Sequence, residues 1–315
     1  MNTSWKACLA IGLWAALAGG AARAEDEVER PRPPSSAFAP TQLTGTLAKL
    51  RNTGTIAIAH RESSVPFSYF NARKEPIGYS IELCKALVNS IADAVQKTLT
   101  ITWVPVTSES RIDAIADGQA DLECGSTTSN LERQKRVAFS PIIFVSGTKL
   151  MVKAGSPVRS FRDLAGKKVV VTAGTTNEKS MRDLVARFKL DTQIVAMPDH
   201  AASFAQVANG AADAFATDDV LLYGLIAENA NQGGKFQVVG EFLSYDPYGI
   251  MYRKDDPQLA SVITDSFRLL AEDGEIERQY NRWFLRRLPS GTSINLPMSP
   301  QLEAIIQTLS VSKPQ

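Results

Sequence analysis

Histidine and cysteine are scarce in this chain, with two and three among 315 residues. A zinc site of thiolates and imidazoles needs four ligands in close spacing, and no stretch supplies them. An excess of either charge is missing as well. The 34 basic and 33 acidic side chains leave +1, which argues against the basic surface of a nucleic-acid-binding domain. Beyond residue 20 no apolar run reaches the length of a membrane span. GxSxG, the Walker loop, GxGxxG and HExxH are all absent, and with them the commonest hydrolase, nucleotide and metalloprotease signatures. What remains is ordinary globular material, 44% hydrophobic and 21% charged. At this length two compact units are expected rather than one, and the composition suits a protein that handles a small molecule.

The N-terminal residues 1–24 read as a cleavable secretory signal. Lys6 supplies the positive charge, residues 8–20 the apolar stretch, and Ala22 and Ala24 the small residues before the cut. Cys8 opens that stretch and is not placed as a lipid acceptor. The mature chain is therefore expected to be exported, without membrane insertion. Removing Lys6 and Arg23 leaves 32 basic against 33 acidic groups, so any cationic character must be local. Residues 25–43, rich in proline and charge, predict a disordered leader. Export makes a disulfide between Cys84 and Cys124 chemically possible. A bridge and two separate thiols both stay open, whereas a catalytic thiol lacks a neighbouring histidine pattern.

The body alternates strands and helices. Strand patterns occur at Thr55–His60, Ile101–Val106, Ala120–Cys124, Lys168–Thr172, Gln193–Met197 and Ala212–Ala216. Helical patterns fall near Tyr79–Val95, Ser108–Asp117, Asn177–Phe188, Ala201–Asn209 and Asp219–Asn229. This alternation predicts an α/β fold with mostly parallel sheets flanked by helices. ADGQAD (Ala116–Asp121) returns as ANGAAD (Ala208–Asp213), 92 residues later. At the same shift Ser108 falls on His200 and Ser126 on Asp218, which predicts two similar lobes. A strand at Gly249–Pro257 and helices at Gln258–Asp273 and Glu275–Phe284 are expected to return to the first lobe, with crossings near Ser146–Leu150 and Phe242–Tyr248.

Ligands of open α/β sheets sit beyond the carboxyl ends of the strands. The residues that follow the strands here include Arg61, Ser108, Arg111, Ser126, Thr127, Thr128 and Arg133 in the first half. The second half adds Thr175, Thr176, His200 and Asp218. Arginine forks match carboxylates bidentately, and helix starts favour anions. Three arginines with one aspartate suit a ligand bearing two carboxylates and an ammonium. Ser129 and Glu132 have capping-box spacing, so Glu132 is assigned to a helix start. A carboxylate dyad of Glu62 or Glu123 with Asp218 has no supporting motif.

HRESSVPFSY (His60–Tyr69), GYSIELC, VTSESRI, ECGSTTSNLERQKRVAFS (Glu123–Ser140), VVVTAGTT, PDHAASF and YGIMYRKDDP together resemble the periplasmic amino-acid-binding proteins of ABC importers (solute-binding protein family 3). Within that family they look like the glutamate/aspartate-binding members. The resemblance implies a two-lobed periplasmic-binding-protein fold of type II with two hinge strands. Lobe 1 would take residues 44–146 and 245–288, lobe 2 residues 147–244, and a tail with a short helix 289–315. Arg133 is implied to hold the ligand α-carboxylate with Ser126, Thr127, Thr128 and the backbone of Thr175 and Thr176. Asp218 would take the α-ammonium. Arg61, where relatives for basic amino acids carry an acid, would hold the side-chain carboxylate with Ser108, Arg111 and His200. The family implies a monomeric, non-enzymatic periplasmic receptor that needs no cofactor or metal and delivers L-glutamate or L-aspartate to permease subunits. The alternatives are a receptor serving a chemoreceptor or histidine kinase, and a dehydratase on the same scaffold.

Overall fold

The computed structural model describes residues 42–230 and 235–311. The expected signal peptide, nearly all of the leader and the last four residues lie outside the described residues. Two five-stranded sheets organise the rest, one in each lobe. The first runs, from edge to edge, Thr100–Pro105, Thr55–His60, Leu122–Glu123, Met251–Arg253 and Val137–Phe139. The second runs Gln193–Met197, Lys168–Thr172, Ala214–Asp218, Thr148–Lys153 and Phe236–Val239. In both, the first three strands are parallel, and the fourth is antiparallel to its two neighbours.

The 92-residue repeat has a physical basis in two aspartates. Asp121 Oδ2 accepts the Ala57 N–H at 2.9 Å, and Asp213 Oδ2 accepts the Lys168 N–H at 2.8 Å. Each thereby fastens a helix end to the start of the neighbouring strand. Gly118 and Gly210, at φ 75° and 77°, make the tight stops that precede them. Successive strand residues then face opposite ways, as the pleat requires. Val169 and Val171 join one apolar cluster and Val170 the other, which is why KVVVT reads as an unbroken apolar run.

The helices form close to their predicted positions, at Tyr79–Val95, Thr176–Phe188, His200–Ala208, Asp219–Glu228 and Pro257–Glu272. The helix expected from Ser108 begins only at Arg111. Thr107 and Ser110 close a turn in front of it, each hydroxyl accepting the other's backbone N–H at 3.1 and 3.0 Å. The capping box at Ser129 and Glu132 does not form. Asn130 Oδ1 caps the Arg133 N–H at 2.9 Å, and Ser129 Oγ accepts from Gln134. A single 3₁₀ turn, Arg133–Lys135, results.

Two short strands, Phe144–Ser146 and Asp246–Tyr248, pair antiparallel and join the lobes. Thr148–Lys153, where part of a crossing was expected, already lies inside the second sheet. Beneath this ribbon Phe67 meets Phe144 and Tyr248 edge-on, with centroids 5.0 and 5.2 Å apart. Phe144 and Tyr280 stack on Phe284. Ile276, Tyr280, Trp283 and Phe284 are buried on one face, as their spacing predicts. Cys84 and Cys124 form a disulfide with Cα atoms 6.3 Å apart, tying the helix Tyr79–Val95 to the end of a sheet strand. Helix Asp219–Glu228 is apolar on most of its circumference and joins the first lobe's core through Val220 and Leu221. Gly224 permits this approach, since a Cβ there would lie 2.3 Å from the Val65 carbonyl. Among the described residues no helix is long and apolar enough to cross a membrane.

Candidate functional site

Each strand that ends at the cleft delivers its following residues into one buried polar region. From the first lobe come Arg61, Ser108, Arg111, Ser126, Thr127, Thr128 and Arg133; from the second come Thr175, Thr176, His200 and Asp218. All except the half-buried Thr176 are buried. Arg61, the most deeply buried of the three arginines, is only 1% exposed, so it is no solvated surface charge.

A small cavity of about 10 Å³ has Arg111, Ser126 and Thr128 on one side and Thr176, His200 and Asp218 on the other. Arg61 lines a separate hollow of about 200 Å³ with Thr107, Ser110 and Asp199. Arg111 donates to Thr127 Oγ1 at 2.7 Å, and that hydroxyl donates on to Glu123 Oε2 at 2.8 Å. Arg133 donates to the Thr128 carbonyl at 2.8 Å and to the Gly174 carbonyl at 3.4 Å, reaching from one lobe to the other. Gly174, at φ 73°, allows this closeness, because a Cβ there would lie 2.7 Å from Glu109. Thr175 is occupied with its own helix, accepting from the Glu178 N–H and donating to the Thr172 carbonyl. Its contribution is the helix start, whose first N–H groups have no intrahelical acceptor. His200 opens its helix behind the Asp199 cap, with Nδ1 2.8 Å from Thr172 Oγ1.

Burial dominates the electrostatics. It lowers the pKa of Arg61 to about 9, helped by the nearby charge of Arg111. Arg133 falls to about 9 for the same two reasons. Burial also lowers Arg111, against the pull of Glu123. His200 is held well below its usual value by burial and then by Arg61 and Arg111, so its ring is neutral at pH 7. Burial, then Asp246, raises Asp218 to about 8, despite hydrogen bonds from Tyr248 and Asn177. Arg61 Nη1, Ser108 Oγ, Arg111 Nε, Glu123 Oε1 and Ser126 Oγ are buried without hydrogen-bond partners. Such groups are costly unless something pairs with them, and four of the five can donate. The arrangement is chemically suited to an anionic group, with Asp218 opposite as the acceptor for a cation.

The sequence reading missed Asn177, which donates to Asp218 Oδ1 at 2.8 Å, and Tyr248, whose hydroxyl donates to Asp218 Oδ2. It also missed Asp246, the carboxylate that weighs most on Asp218. The suggested dyad of Asp218 with Glu62 or Glu123 is not formed: Glu62 is exposed and Glu123 is bonded to Thr127. Among the described residues no group of three or more His, Cys, Asp or Glu side chains is placed to hold a metal ion.

Residues 56–286 match the family described as bacterial extracellular solute-binding proteins, family 3. Over 294 residues the chain is 37% identical to the glutamate/aspartate import solute-binding protein of Escherichia coli (strain K12), covering 93% of each chain. It is 40% identical over 268 residues to the L-glutamate/L-aspartate-binding protein of Pseudomonas aeruginosa, covering 84% of this chain and 88% of that one. Among solved structures it superposes on an ancestral arginine-binding protein bound to arginine with a TM-score of 0.67 and 27% identity, covering 73% of this chain and 98% of the other.

Proposed function

The chain belongs to the bacterial extracellular solute-binding proteins, family 3, and from that premise we propose that it is a periplasmic receptor for L-glutamate and L-aspartate. It closes its two lobes on the ligand and delivers it to the permease of an ABC importer. The observation that carries this reading is a set of three buried guanidiniums, with Arg111 close enough for its charge to act on both Arg61 and Arg133 and the buried Asp218 across the cavity from Arg111. The names of the two bacterial relatives agree with it. In this reading lobe 1 comprises residues 44–146 and 245–288, lobe 2 residues 147–244, and residues 1–24 are the signal removed on export.

Arg133 holds the ligand α-carboxylate, with Ser126, Thr127, Thr128 and the helix start at Thr175 and Thr176. Asp218 takes the α-ammonium. Its pKa of about 8 measures the cost of ionising it alone, and a bound ammonium removes that cost. Arg61, with Ser108, Arg111 and His200 beside it, holds the side-chain carboxylate. Closure follows because the ligand touches both lobes and so favours the state in which both are in reach. The protein acts as a monomer, uses no cofactor and breaks no bond.

Isothermal titration against L-glutamate, L-aspartate, L-glutamine and L-histidine tests the reading. Tight binding of the two acids with weak binding of the others is expected. Tight histidine binding, or none of the four, overturns it. Mass spectrometry of the recovered ligand should find it chemically unchanged; turnover would make the protein an enzyme.

A further inference from the structure

The second hinge strand, Asp246–Tyr248, carries two side chains that reach the site. Residues two apart leave the same face of a strand, and here both are buried, Asp246 at 1% exposure. The Tyr248 hydroxyl donates to Asp218 Oδ2. Asp246 accepts three hydroxyls: Thr128 Oγ1 of the first lobe at 3.0 Å, Thr176 Oγ1 of the second at 2.8 Å, and Ser244 Oγ. The two threonine oxygens stand 3.3 Å apart, so one carboxylate oxygen is shared by hydroxyls that face each other from opposite lobes.

The remaining hydrogen bonds close a circuit. The single hydroxyl proton of Ser244 goes to Asp246, so Ser244 Oγ accepts from Thr148, from its N–H at 2.9 Å and its hydroxyl at 2.7 Å. Thr148 Oγ1 in turn accepts from Asn177 Nδ2 at 2.7 Å. Asn177 also donates to Asp218 at 2.8 Å, and Asp218 returns through Tyr248 to the strand that bears Asp246. A buried carboxylate is stable only when several donors satisfy it, and charge-assisted bonds of this kind are the strong ones. Separating the lobes removes Thr128 or Thr176 from Asp246.

We infer that Asp246 is a positioning residue, which aligns the threonines of both lobes and couples the ammonium-binding Asp218 to the strand that bends on closure. The inference rests on the amino-acid-binding reading above, and its roles for Thr128, Thr176 and Asp218 are those given there.

The test compares Asp246→Asn, which keeps the shape and one acceptor oxygen, with Asp246→Ala, which removes both. The groups facing Asp218 are Asp246 and Asp219 by charge, Tyr248 and Asn177 by hydrogen bond, and Arg111 and Arg133 across the cleft. Removing the Asp246 charge should let Asp218 ionise at a lower pH. Calorimetry with L-glutamate at pH 7 is expected to show a loss of about 10- to 100-fold for Asp246→Ala, on the scale of a charge-assisted hydrogen bond. Asp246→Asn should lose less, and the rise of its affinity with pH should shift to lower pH. Small-angle X-ray scattering at saturating L-glutamate should find the Ala variant more open than the wild type.

Wild-type affinity and an unmoved pH profile in both variants overturn the inference. If the wild type itself takes no acidic amino acid, the functional reading fails instead. Carbon-13 NMR titration of Asp218 in ligand-free protein then still decides the coupling. A midpoint lowered by Asp246→Asn supports it, and an unchanged midpoint overturns it.

Discussion

The two lobes share strand order and direction, and even the aspartate that fastens a helix end to the neighbouring strand. They differ in what they place at matched positions. Across the 92-residue shift Ser108 becomes His200 and Ser126 becomes Asp218. The first lobe contributes three arginines, while the second contributes the buried aspartate and the helix start at Thr176. A repeated scaffold thus decides where side chains converge, and its divergence gives one wall its cations and the other its buried anion. The cores differ as well. The first is cross-linked by Cys84–Cys124 and built around a group of stacked aromatics, whereas the second has two apolar clusters flanking its sheet, with aromatic rings in separate pairs, Phe161–Phe188 and Phe204–Phe236.

The largest expected effect tests this difference in cores. The disulfide spans 40 residues of sequence, and chain entropy assigns such a loop about 4 kcal/mol. Replacing Cys84 and Cys124 by alanine should lower stability by up to that amount in denaturant titration. Hydrogen exchange should speed up in Tyr79–Val95 and stay slow in Lys168–Thr172. Equal acceleration in both would mean that the lobes unfold as one unit and that the contrast has no energetic meaning.

Next comes the cationic wall. Arg61→Ala is expected to weaken L-glutamate binding by about 10- to 100-fold, from a charge-assisted bond of about 1.5–3 kcal/mol, with a smaller loss for L-glutamine. Unchanged glutamate affinity would remove Arg61 from the site.

The acidic wall makes a prediction in pH. Asp218 titrates near 3.8 when unfolded and near 8 in the ligand-free fold. The folded protein thus holds a proton that the unfolded chain has lost, and this group's contribution to stability falls as pH rises between those values. In the proposed role ligand binding should have the opposite slope, because the ammonium needs the ionised form. Affinity should therefore rise with pH up to about 8, and Asp218→Asn should flatten that limb. A flat wild-type profile would show that Asp218 is already ionised.

The smallest effect belongs to Ser126, the partner of Asp218 across the repeat. Its unpaired hydroxyl is one donor among several to the carboxylate that Arg133 holds, so Ser126→Ala should cost about two- to tenfold in affinity. A loss as large as that of Arg61→Ala would assign Ser126 an orienting role as well.

The sequence made the regular elements legible because their apolar patterns span five residues or more. Tyr79–Val95, Lys168–Thr172 and Gln193–Met197 form where the pattern places them. The three-residue strands Phe144–Ser146 and Asp246–Tyr248 are too short to carry a period, and their pairing partner lies about 100 residues away. The same distance hides Asp246, whose meaning comes from Thr128 and Thr176 on other elements. Arg61 and Asp218 were legible as strand-end residues, but their burial was not. Asn177 follows the expected Thr175–Thr176 pair directly, and its position in the first helical turn was a usable signal. At Ser129 and Glu132 a local rule lost to Asn130, a better-placed side-chain acceptor.

The placement of Met251–Arg253 has a consequence for how the chain is made. This strand lies between Leu122–Glu123 and Val137–Phe139 in the first sheet, so that sheet stays incomplete until residue 253 has been added. The second sheet draws only on residues 148–239 and can be assembled earlier. A chain emerging from its N-terminus would then complete its later half first, while the earlier half waits with an open gap between its third strand and its edge. Long-range closures of this kind are slow. The strand order thus lets the order of sheet completion run opposite to the order of synthesis.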